Sequence, residues 1–146
     1  MAIEAMTDDA YECALRALHH RDRTELEIDE RLRARGFSND ERSRAIETLR
    51  RTGLVDDDRF AHARAASLAE RGAGNALIRA RLAQAGVARD LVDRALDAVE
   101  REVARARRVV GRRGPSPKTA RYLYRKGFSE GVIRAVIAEG DDGELG

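Results

Sequence analysis

Ile28-Asp29-Glu30-Arg31-Leu32-Arg33-Ala34-Arg35-Gly36-Phe37-Ser38 decides the fold, because the same pattern recurs fifty residues on as Ile78-Arg79-Ala80-Arg81-Leu82-Ala83-Gln84-Ala85-Gly86-Val87-Ala88. It returns once more, shortened, as Tyr122-Leu123-Tyr124-Arg125-Lys126-Gly127-Phe128-Ser129. In every copy a leucine stands four residues before a glycine and an apolar residue follows the glycine. An apolar cluster comes next: Ala45, Ile46 and Leu49 in the first copy; Leu91, Val92, Ala95, Leu96 and Val99 in the second; Val132, Ile133, Val136 and Ile137 in the third. Self-similarity of this kind marks tandem copies of one structural unit.

Within each copy the spacing is helical. Leu26 and Ile28 with Leu32, Leu77 and Ile78 with Leu82, and Ala120 with Leu123 and Tyr124 each define one apolar face, and the clusters after the glycine recur at i, i+1, i+4. The glycine is suited to the left-handed position that closes a helix. Thr24 with Glu27 and Ser38 with Glu41 read as capping boxes, Asn75 as an N-cap, and Ser116 as an N-cap before Pro117 at the first helical position. A further helix precedes each pair, over 8–20, 57–70 and roughly 100–113. The expected fold class is therefore all-α: three tandem three-helix repeats, helix-turn-helix-like units forming an elongated curved array. They span residues 7–52, 53–98 and 99–139, and a disordered acidic tail is expected over 140–146. No Pro or Gly interrupts 89–110, which leaves open whether the second and third repeats share one continuous helix.

Composition agrees. The 146 residues are 37% charged and 42% hydrophobic, with three Phe, three Tyr and no Trp, a poor stock for a β sandwich and a good one for small helical cores. No apolar run approaches the length of a membrane span, and the first nine residues lack the pattern of a signal peptide. A soluble, cytoplasmic protein with no membrane contact is expected. The single cysteine, Cys13, excludes an internal disulfide.

No enzyme constellation emerges. Asp56-Asp57-Asp58 precedes a helix, where acids cap free amides and favour the dipole. His19 and His20 stand at a helix C-terminus, His62 is isolated, and Cys13 lies on an apolar face. Gly72-Ala73-Gly74 lacks the Gly-Lys-Ser/Thr of a phosphate loop. The expectation is no catalytic residue, no metal and no cofactor.

Charge is more informative once it is divided along the chain. Arg101 to Lys126 holds ten basic residues and one acid, a local charge of +9, while the remainder carries −7. Arg101, Arg105, Arg108 and Arg112 fall at i, i+4, i+7 and i+11 on one helix; Lys118, Arg121 and Arg125 repeat the pattern on the next, with Arg113 and Lys126 nearby. Like charges so spaced weaken a helix by roughly 0.2–0.5 kcal/mol per pair. An anionic partner reverses that cost, and Tyr122 and Tyr124 are candidates for stacking on bases.

Gly53-Leu54-Val55-Asp56-Asp57-Asp58-Arg59-Phe60-Ala61, then Arg71-Gly72-Ala73-Gly74, Ile78-Arg79, Leu82 and Gly86-Val87, resembles the central signature of the RecX family, bacterial regulators of the recombinase RecA. The flanking repeats fit the family pattern too. The resemblance implies a non-enzymatic regulator that binds the RecA filament on single-stranded DNA and inhibits its extension, ATPase and recombinase activity. It also implies direct contact with DNA, single-stranded or double-stranded. The candidate RecA- or DNA-binding residues are Arg59, Arg71 and Arg79 within the signature, and Arg101, Arg105, Arg108, Arg112, Arg113, Lys118, Arg121, Arg125 and Lys126 in the basic third repeat. No oligomerisation seam is visible, so a monomer is expected. Two alternatives stay open: a helix-turn-helix-type DNA-binding regulator, against which the acidic post-glycine helices of the first and third repeats count, and a helical protein-interaction scaffold.

Overall fold

The computed structural model describes the backbone of residues 2–145 and the side chains of residues 9–142, and the regular structure among them is entirely helical. In chain order the helices are α1 (Ala2–His20), α2 (Glu25–Ala34), α3 (Asn39–Arg51), α4 (Asp57–Glu70), α5 (Asn75–Gln84), α6 (Arg89–Ala98), α7 (Glu102–Arg113), α8 (Pro117–Arg125) and α9 (Glu130–Leu145). They pack in threes around three separate cores. Ile28, Leu32 and Leu49 anchor the first, Phe60, Ile78 and Leu82 the second, and Leu123, Phe128 and Val136 the third. Val55, in the link after α3, still belongs to the first core.

The repeated motif has one physical explanation. After each middle helix Gly36, Gly86 or Gly127 takes φ near +90°, and the amide of the following apolar residue reaches back to the leucine carbonyl. Phe37 donates to Leu32 at 3.2 Å, Val87 to Leu82 at 3.0 Å and Phe128 to Leu123 at 3.0 Å. This closes the helix while turning the flanking apolar side chains inward. Both capping boxes form, Thr24 with Glu27 and Ser38 with Glu41, and Ser116 caps α8 ahead of Pro117. The N-cap of α5 is Gly74 rather than Asn75, because both the Asn75 amide and its side-chain oxygen are engaged by the third repeat.

A single rule joins neighbouring repeats and is used twice. The start of each middle helix sits on the closing turn of the next one: Thr24 Oγ1 donates to the Ala85 carbonyl, and the Gly74 and Ala76 amides donate to the Lys126 and Gly127 carbonyls at 2.7 and 3.0 Å. The first residue of the following repeat's first helix then supplies a carboxylate to the same helix start. Asp57 accepts from the Glu25 amide at 2.9 Å, and Glu102 from the Asn75 amide at 2.6 Å. Burial pushes the Asp57 carboxyl above the usual carboxylate range, outweighing the Glu25 amide. A raised folded pKa means that the stabilisation is fullest below the unfolded pKa and shrinks as pH rises through the folded one.

Two features differ from the sequence expectation or resolve it. Repeats two and three do not share a helix: Val99, at ψ 161°, and Arg101, at ψ 140°, are extended between α6 and α7. Val99 turns aside to pack on the second core, and the Glu100 carbonyl freed by the break accepts from Arg105 Nε at 2.9 Å. The stretch 140–145, expected as a disordered acidic tail, continues α9. Gly140 lies so close to α7 and the loop after it that a Cβ there would come within 2.7 Å of Pro115 and 3.0 Å of Val110, and Glu139 pairs with Arg107 at 2.9 Å. Gly146 lies outside the described residues.

Candidate functional site

A cation can serve an anionic partner only if it is exposed and not already satisfied within the fold. Arg105 fails both conditions and corrects the sequence assignment. It is 6% exposed, donates from Nη1 to the Ala73 carbonyl at 2.5 Å and from Nη2 to Asn75 Oδ1, and lies 5.8 Å from the Phe128 ring centroid. Burial lowers its pKa from the ordinary guanidinium value. The helical-wheel face shared by Arg101, Arg105, Arg108 and Arg112 is, at its centre, the face turned toward the second repeat.

Three other candidates are exposed but engaged internally. Arg59 donates to the Gly53 carbonyl at 2.9 Å and lies 3.6 Å from the Asp22 carboxylate, tying the first two repeats. Arg79 pairs with Asp93 at 2.6 Å between α5 and α6, and Arg108 pairs with Glu100 beside the α6–α7 break. Lys126 is half-buried and its carbonyl holds the Gly74 amide.

Arg71, Arg101, Arg112, Arg113, Lys118, Arg121 and Arg125 remain exposed, without a carboxylate in ion-pair range among the described residues. All but Arg71 belong to the third repeat. The Arg113 guanidinium stacks 3.8 Å over the Tyr122 ring, a cation–π contact that orders the α7 end against α8. Gly72, next to Arg71, faces the Lys126 stem and the Tyr122 hydroxyl, so the fold carries the basic loop of the central signature to the basic repeat. Lys118, Arg121, Tyr124 and Arg125 on α8 face Ile133 and Glu130 of α9 across a groove of about 610 Å³. The ring of Tyr122 is half-buried, whereas Tyr124 is 69% exposed.

The remaining candidate chemistry resolves into structure. Asp56 caps α4 by accepting from the Arg59 amide at 3.1 Å, Asp57 serves α2, and Asp58 lies 3.6 Å from His62 and 3.7 Å from Arg94. Cys13 is buried in the first core. Among the described residues no group of three His, Cys, Asp or Glu side chains is assembled to hold a metal ion, and no helix is long and apolar enough to cross a membrane. Sequence reasoning missed Glu102 as a functional part of the fold. Its signal was an acid opening the first helix of the third repeat, as Asp57 opens that of the second.

The comparisons with known proteins converge. A family model described as "RecX, first three-helix domain" matches residues 10–49, and one described as "RecX, second three-helix domain" matches residues 56–96. The chain is 32% identical to the regulatory protein RecX of Halorhodospira halophila, covering 94% of this chain and 92% of that protein. It is 31% identical to the regulatory protein RecX of Syntrophotalea carbinolica, covering 90% and 95%. The crystal structure of RecX from Lactobacillus salivarius has the same fold, with a TM-score of 0.82 at 22% identity over 94% of this chain and 98% of that one.

Proposed function

The chain belongs to the RecX family of regulatory proteins, and from that premise we propose that it binds the RecA filament on single-stranded DNA and inhibits filament extension, ATP hydrolysis and recombinase activity, with no catalysis of its own. The observation that carries this reading is the segregation of unneutralised cations: Arg101, Arg112, Arg113, Lys118, Arg121 and Arg125 lie together in sequence on α7, its flank and α8, with Arg71 delivered by the second repeat. Surface charge of one sign, left unpaired by the fold, favours an acidic protein surface or a phosphate backbone and steers its approach. A chain of three linked cores also presents a long surface relative to its mass, which suits contact along a filament.

The test is co-sedimentation with RecA filaments assembled on single-stranded DNA, comparing the wild type with an Arg112→Glu, Arg121→Glu, Arg125→Glu variant whose helical circular dichroism is intact. Arg105 is left unchanged because it holds the fold. The wild type sediments with the filaments, and the variant loses about tenfold or more in affinity, roughly 1.4 kcal/mol. Wild-type protein left in the supernatant contradicts filament binding. Undiminished binding of the variant contradicts the placement of the contact on the third repeat.

A further inference from the structure

We infer that the cleft between the first and second repeats is a binding site for a small phosphate monoester, whose dianionic phosphate is held by Arg64 of α4 and Arg81 of α5. The inference is independent of filament binding and of the basic third repeat.

The second-repeat wall of this cleft carries the same arrangement on two helices. α4 presents Arg64 and Ser67, and α5 presents Arg81 and Gln84, in each case a guanidinium and a neutral donor three residues apart and so on one helical face. All four line one cavity of about 520 Å³. Neither arginine has a carboxylate in ion-pair range among the described residues. Nor do the four side chains hydrogen-bond to any other group there. Arg64 is half-buried, and a guanidinium partly withdrawn from water without a counter-ion is unfavourable until an anion supplies one. Charge then selects the ligand. The acids that the first repeat places in the cleft are already matched: Glu27 lies 3.2 Å from Arg21, and Asp22 lies 3.6 Å from Arg59. Two positive charges are left over, and a phosphate monoester, close to −2 at neutral pH, balances them. Guanidinium groups bond phosphate oxygens bidentately, and the Ser67 hydroxyl and Gln84 amide donate to the oxygens that remain. The cavity is larger than a bare ion requires and falls within the range of small-molecule sites. Phe60, Ala63 and Ala85 give the organic part of the ligand an apolar wall, and the two acids opposite can accept from its hydroxyl groups. The same acids repel a run of successive phosphates, so the cleft suits a small ligand better than a strand. Held there, the ligand touches both repeats and braces their junction.

The experiment titrates the full chain with ribose 5-phosphate, read by calorimetry and by the phosphorus NMR signal of the ligand. The wild type binds it, and the melting temperature rises as the ligand is added, because binding favours the folded state. Arg64→Gln and Arg81→Gln each weaken binding about tenfold or more, the loss expected for one charge-assisted contact, while helical circular dichroism stays intact. The affinity falls as pH is lowered through about 6, where the ester becomes a monoanion. Ribose lacking the phosphate does not compete, and sulfate, a dianion without an organic body, binds at least about tenfold more weakly than the ester. The Arg112→Glu, Arg121→Glu, Arg125→Glu variant keeps wild-type affinity, which places the site away from the third repeat. No binding by the wild type overturns the inference, as does undiminished binding by both glutamine variants. Loss of binding in the third-repeat variant, or sulfate that binds as tightly as the ester, also overturns it, since the anion would then be held elsewhere or without regard to its body.

Discussion

Gly74→Ala is expected to destabilise the chain by about 3 kcal/mol, although Gly74 has an ordinary φ of −81° and an alanine there carries no backbone strain of its own. The reason is the junction between the second and third repeats. A Cβ at position 74 falls 2.3 Å from the Phe128 amide nitrogen and 2.5 Å from the Gly127 carbonyl oxygen, and both neighbours are backbone that cannot rotate aside. Overpacking of this kind costs about 1–3 kcal/mol, and separating the turns sacrifices the Gly74 to Lys126 hydrogen bond, worth about 1 kcal/mol more. Gly36→Ala is the control. It sits at φ +88° with nothing within 4 Å of its Cβ position, and it costs only the left-handed penalty of about 1–2 kcal/mol. Urea denaturation measures both. Equal losses for the two variants would mean that the backbone junction does not form as described.

Arg105→Ala is expected to cost about 3–5 kcal/mol, the largest effect among the basic residues of the third repeat. Its removal strands the Ala73 and Glu100 carbonyls and the Asn75 side chain, and it takes a compensating charge from Glu102, itself 9% exposed. Deleting one partner of a buried charged network is far more damaging than deleting a surface ion. Arg105→Lys recovers little, because one ammonium cannot reach three acceptors in the guanidinium plane. Arg121→Ala, exposed and unpaired, changes stability by no more than about 0.5 kcal/mol. The denaturation midpoints of these three variants separate the structural arginine from the available ones, and an Arg105→Ala protein as stable as Arg121→Ala contradicts the assignment.

Most of the fold was legible because its determinants are local. The Leu-x-x-x-Gly-apolar motif encodes a helix, its closing turn and the residue that seals it, all within six positions, and Thr24 and Ser38, each with a glutamate three residues on, announce the helices that follow them. The junctions were not legible, because they join residues far apart in sequence and each contact has a backbone group, with no side-chain signature, as at least one partner. Thr24 meets Ala85, and Gly74 meets Lys126. The stretch expected as a disordered tail misled for a related reason: Gly140 is in place where α9 approaches Pro115 too closely for a side chain. At the site, the sequence displayed charge but not availability. Arg105 stands at the fourth position of α7, as Phe60 does in α4, so an arginine occupies a place where the preceding repeat buries an aromatic ring. Tyr124 could be told from Tyr122 only once α8 had been oriented, leaving one ring under Arg113 and the other in solvent.

Filament regulation is tested most directly by the rate of ATP hydrolysis by RecA on single-stranded DNA as this protein is titrated in. Inhibition that is complete well below one molecule per recombinase subunit is the result expected of a protein that stops filament growth or promotes its loss. Undiminished hydrolysis in the presence of excess folded protein and its cognate RecA would contradict it.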